Sequence, residues 1–96
     1  MFARVVRWEG GDGETMRSAA ADMRERGASG PPEGVPATGF LLLIDPDNER
    51  GYAISLFETE DDLRKGDETL NKMDPPEGVG NRASVETYEV GADFRQ

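Results

Sequence analysis

Two strand–helix–strand units sharing one four-stranded antiparallel sheet, with both helices on one face, is the α+β fold that the sequence predicts, and three observations carry the prediction. Strand-type and helix-type runs follow one another in the order β-α-β-β-α-β along 96 residues. The pentapeptide PPEGV stands twice, at 31–35 and 75–79, each time between a helix and the strand after it. The central runs FLLLI and YAISLF are apolar on both alternating sets of positions, as in strands covered on both faces. Two such split units make a ferredoxin-like βαββαβ sandwich.

Residues 2–8, FARVVRW, are β-branched and aromatic and stop at the turn cluster GGDG, so they form the first strand. Asp12 or Gly13 then serves as N-cap, and Met16, Ala19, Ala20 and Met23 repeat at helical spacing. Arg24 and Arg26 suit the negative end of that helix, and Gly27 stops it. Residues 28–38 are loop, followed by the strand GFLLLID, the turn DPDNERG and the strand YAISLF, a β-hairpin over 40–57. Thr59 with Asp62 is an acidic capping box opening a helix whose inner stripe is Leu63, Gly66, Leu70 and Met73. Glycine inside a helix costs about 1 kcal/mol against alanine, so Gly66 on that stripe implies a close approach from the sheet. The last strand is 83–90, ASVETYEV. Pro-Pro-Glu-Gly suits a helix exit, and duplication of the unit would produce the same spacing; the sequence leaves both origins open.

Ninety-six residues, 35% hydrophobic and 32% charged, make one domain spanning 1–96 with a thin core. A net charge of -9 argues against nucleic acid and anionic membrane surfaces, and no apolar run spans a bilayer. MFARVVRW alternates charged and apolar residues where a secretory signal would be continuously apolar, so this acidic protein is expected in the cytoplasm. The chain has no Cys and no His, which removes disulfides, thiolate nucleophiles, the usual general base, the usual haem ligand and the usual zinc ligands. No metal site and no resident cofactor are expected. Because a half-wet sheet should alternate and these strands do not, the open sheet face is expected to be covered by a second copy, giving a homodimer.

Motifs that suggest chemistry read better as structure. DPDNERG begins like a calcium loop, but Arg50 replaces the loop glycine, Leu56 the bidentate glutamate, and strands flank it. GGDG has Met16 at the third glycine place of a phosphate loop and no lysine after it, with Asp12 and Glu14 to repel an anion. Glu58, Glu60, Asp61 and Asp62 sit at a helix N-terminus, where the dipole favours them. Trp8, Tyr52 and Tyr88 remain as candidate ligand-binding residues, each joining a large apolar body to a polar tip on a strand; no catalytic residue stands out. Arg4 and Arg7 could bind an acidic ligand group, but with so many acids in the chain the favoured expectation is that they pair with Glu86 and Glu89 of the last strand.

From FARVVRW through YAISLFETEDDLRKGDETLNKM to ASVETYEV, the layout resembles the dimeric α+β barrel superfamily, in its branch related to antibiotic-biosynthesis monooxygenases. The resemblance implies two ferredoxin-like sheets paired into a barrel, with a cavity between helices and sheet in each subunit. It implies binding of an apolar or aromatic small molecule, or no catalysis at all; the alternative is a cofactor-independent monooxygenase acting on an aromatic substrate, with Trp8, Tyr52 and Tyr88 standing in for cavity groups. The haem-degrading members use a histidine ligand, which this chain lacks.

Overall fold

In the computed structural model, which describes residues 1–26, 34–73 and 80–94, the elements are β1 (Phe2–Glu9), α1 (Gly13–Arg26), β2 (Gly39–Asp45), β3 (Arg50–Phe57), α2 (Glu60–Asn71) and β4 (Asn81–Glu89), with a 3₁₀ turn at Pro46–Asn48. This is the expected βαββαβ order. All strand pairs are antiparallel and the sheet runs β2-β3-β1-β4. The PPEGV copies lie outside the described residues except for Gly34 and Val35; Val35 is a core residue, and the Gly34 carbonyl accepts from Thr69 Oγ1 at 3.1 Å.

Local chemistry sets the element ends. The Asp12 carboxylate accepts from the Thr15 amide at 3.3 Å and its hydroxyl at 2.9 Å, starting α1. Thr59 Oγ1 accepts from the Asp62 amide at 3.1 Å, starting α2 with three acids in its first turn. The β2–β3 connection closes on Asp45, whose carboxylate accepts from Asn48 Nδ2 at 2.9 Å and Arg50 Nε at 3.0 Å. Those two hydrogen bonds, Asn48 first, hold the Asp45 carboxyl below its ordinary range. So the DPDNERG segment is a turn stapled by its own first acid. Glu49 ends it with φ 53°, the left-handed region that suits glycine. β4 starts two residues earlier than the sequence suggests, because Arg82 and Asn81 continue the ladder opposite Trp8 and Glu9 after a register shift at Arg7/Trp8.

Directly paired residues share a face, so the registers divide the sheet's side chains into two sets. Phe2, Arg4, Val6 and Trp8 of β1 face the helices with Phe57, Ser55, Ala53 and Gly51 of β3. On that side α2 packs over β1 and β3, while α1 packs over β2 and the 3₁₀ turn. Val35, Phe57 and Leu63 make the core, with Phe2, Ala37 and Leu70 against it. Gly66 is where Phe57 comes through: a Cβ built there would lie 2.5 Å from Phe57 Cζ. The close approach inferred from a glycine on the inner stripe is therefore an aromatic ring seated against the helix backbone.

Candidate functional site

Two surfaces of the sheet merit attention, one on each side. The open side carries Leu41 and Leu43 of β2, Ile54 and Leu56 of β3, Val5 of β1, and Tyr52 and Tyr88. Leu41 is 53% exposed, Leu43 49% and Tyr88 52%. Exposed leucines on adjacent positions of one face make a contiguous apolar patch of the kind that marks an interaction surface. Its charged groups are paired among themselves: Arg7 with Glu9, and Arg50 with Asp45 at 3.0 Å. The described residues of this face carry two arginines against three carboxylates, Glu86 being the third, although the whole chain is at -9. The remaining acids concentrate on the helices, eight of them on α1 and α2.

The helix side is polar at its centre. Arg4 is 4% exposed; its Nε donates to Asp67 Oδ1 at 2.8 Å and an η nitrogen to Asn71 Oδ1 at 2.8 Å. Asp67 and Asn71 are one helical turn apart, so α2 presents both acceptors to one guanidinium. A buried charge needs a counter-charge and hydrogen-bond acceptors of this kind. Towards the β4 edge Trp8 is half-buried beneath Arg82, whose guanidinium carbon lies 5.4 Å from the ring centroid. Arg82 also donates to the carbonyls of Leu70 at 3.1 Å and Met73 at 2.8 Å, satisfying the C-terminal end of α2 from a strand.

The structure separates the three aromatic residues singled out in the sequence. Trp8 stands on the helix side, whereas Tyr52, opposite Arg7, and Tyr88, opposite Ala3, stand on the open side. The Tyr88 hydroxyl donates to the Glu86 carboxylate. The expected pairing of Arg4 and Arg7 with Glu86 and Glu89 does not occur. Glu86 lies opposite Val5 and Glu89 opposite Phe2, so the register denies both arginines a directly facing acid on β4. Three participants are not evident from sequence: Asp67 and Asn71 as joint acceptors for a strand arginine, and Arg82 as the cover of Trp8. The i, i+4 spacing of Asp67 and Asn71 on the turn beyond Leu63 is the one available signal.

Among the described residues, grooves open at both ends of the sheet. A groove of about 330 Å³ at the β2–β3 turn is lined by Arg7, Glu9, Gly10, Asn48, Glu49 and Arg50, and its guanidiniums are already engaged by carboxylates. A larger, mainly apolar groove of about 550 Å³ crosses the opposite end of the sheet, with Met1, Phe40, Leu41, Leu56, Val90 and Phe94 among its walls.

Fold and register define the structural class: the chain has the ferredoxin-like α+β fold, one four-stranded antiparallel sheet with both helices on one face. Solved structures that share that fold include two of one protein. One is the haem degrader MhuD of Mycobacterium tuberculosis with two haems bound in its active site, with a TM-score of 0.66 and 15% identity over 99% of this chain and 100% of that one. The other is an arginine-to-serine variant of MhuD with two manganese protoporphyrin IX bound per active site, with a TM-score of 0.57 and 18% identity over 100% of both chains. No family model matches the sequence, and no curated protein matches it. Identities this low carry the fold and not the chemistry. Among the described residues no helix is long and apolar enough to cross a membrane.

Proposed function

We propose that this chain works as a homodimer, sheet against sheet, and binds an apolar or aromatic small molecule on the helix side near Trp8. The open face carries the first part. Strands of seven to nine residues at about 3.3 Å each, four abreast at about 4.8 Å, make a plate of roughly 500 Å² before side-chain relief, the order of the roughly 800 Å² each partner buries in a standard stable interface. A strongly acidic chain meets its own copy at least electrostatic cost through its near-neutral face. Covering Leu41 and Leu43 also takes the exposed apolar patch on the edge strand β2 out of water.

The ligand part rests on the helix side of β4. The helices pack over β1, β3 and β2, and towards β4 the helix side carries Trp8, half-buried beneath Arg82, and Val85, which stands opposite Val6 and is exposed. That the fold's solved relatives hold flat aromatic macrocycles supports an aromatic ligand class. Haem itself does not fit these residues. The chain offers no His or Cys as axial ligand, its two tyrosines stand on the other face of the sheet, and the space under α2 is taken by Phe57, Leu63 and the Arg4 ion pair.

Light scattering at micromolar concentration should report twice the 10.5 kDa chain mass, and Leu43→Glu should report the single mass. A monomeric wild type would remove the dimer. Trp8 is the chain's one tryptophan, so its fluorescence, titrated with anthracene-type or naphthalene-type probes, should quench to saturation. A linear, unsaturable response would remove the ligand site.

A further inference from the structure

We propose that Phe94 is a reciprocal anchor of the dimer, the segment after β4 in each copy crossing to its partner and seating Phe94 in the partner's apolar groove. The inference rests on the dimer reading above and adds to it the residue that closes it. Within one chain, Phe94 with Ala92 and Asp93 forms one wall of a groove of about 550 Å³ otherwise walled by Met1, Phe40, Leu41, Leu56 and Val90, yet its ring is 95% exposed and so edges that groove without filling it; in the exchanged dimer the partner's segment takes this place. A large apolar ring left in water next to an apolar groove is unfavourable by the whole transfer free energy of the ring. The groove is continuous with the proposed interface, because Leu41 and Leu56 belong to the open face. The reach is sufficient. The Val90 amide donates to the Met1 carbonyl at 2.9 Å, which pins the start of the segment to β1. The four residues from there to Phe94 span up to about 14 Å when extended, more than the roughly 10 Å between stacked sheets. Twofold symmetry then makes two identical contacts per dimer.

Phe94→Ala should raise the dimer dissociation constant about a hundredfold, roughly tenfold for each ring, with an unchanged far-UV spectrum, since an exposed side chain supports nothing within its own subunit. A second measurement uses the absence of native cysteine. Phe94→Cys and Leu41→Cys, purified separately with one mass-tagged, are mixed and oxidised; the intact second groove and second Phe94 of the mixed dimer keep it associated. A disulfide between the two species is expected, as bonding requires Cβ atoms within about 4.5 Å, and Phe94→Cys with Lys65→Cys should give none. Cross-linking confined within one chain when both cysteines are on it, or a dimer whose dissociation constant ignores Phe94→Ala, overturns the anchor while leaving the dimer standing. A wild type that is monomeric at every concentration overturns the dimer itself.

Discussion

Substituting alanine at Gly66 adds one methyl group where the Phe57 ring meets the backbone of α2. The new Cβ would lie 2.5 Å from Phe57 Cζ, and closer still to Cε1. Carbon atoms in contact rest at about 3.5–4.0 Å, so the overlap is about 1 Å or more. Phe57 is completely buried and bounded by Val35 and Leu63, so its ring has nowhere to retreat without lifting α2 from the sheet. Overpacking of this kind costs about 1–3 kcal/mol, against a gain of about 1 kcal/mol from replacing glycine inside a helix. An overlap of about 1 Å against a ring that cannot move puts the cost at the upper end, about 2–3 kcal/mol, so the expected net loss is about 1–2 kcal/mol, a fall in Tm of about 4–16 °C for a domain of this size, measured at fixed protein concentration because any dimer adds its own term. Phe57→Leu removes the offending ring atoms, so in a double-mutant cycle the pair should be less destabilised than the sum by about 1 kcal/mol or more. A Gly66→Ala protein as stable as wild type, or more so, would refute the claim that ring contact selects glycine here.

Other substitutions test the polar framework. Asp67→Ala should cost more in chemical denaturation than Arg4→Met: the first strands a guanidinium that is 5% exposed, whereas the second leaves a carboxylate that is 34% exposed and rehydrates. The expected losses are about 3 kcal/mol and about 1 kcal/mol. Glu49→Gly should stabilise by about 1 kcal/mol, since φ 53° costs any side chain that amount and glycine nothing; an unchanged Tm would count against backbone strain at the turn. Asp45 has a folded pKa below its ordinary 3.8, so its hydrogen bonds to Asn48 and Arg50 add stability above that value and lose it as pH falls through the folded pKa. The Tm gap between wild type and Asp45→Asn should therefore shrink on going from about pH 6 to about pH 3, and a gap that widens would reverse the sign.

Local patterning carried a great deal of this protein. Runs such as FARVVRW and YAISLF are strands because β-branched and aromatic residues pack on a pleated surface, and both helices begin where a short polar side chain, Asp12 or Thr59, can accept from an orphan amide. The element order, the both-sided apolar strands and the close approach at Gly66 are all properties of short stretches, and such stretches hold enough information to be read alone. What they cannot hold is register. Arg4 could have met an acid on β4 from any sequence argument, yet the ladder sets Thr87 opposite it and α2 supplies Asp67 and Asn71 instead. In the same way Trp8, Tyr52 and Tyr88 look equivalent on three strands, until a period of two residues puts one of them on the helix side and the other two on the open side. Sequence by itself determined which segments pair and pack. Only the tertiary structure decided which side chains share a face, because that depends on residues far apart in the chain being brought opposite one another by a ladder whose alignment no single strand encodes.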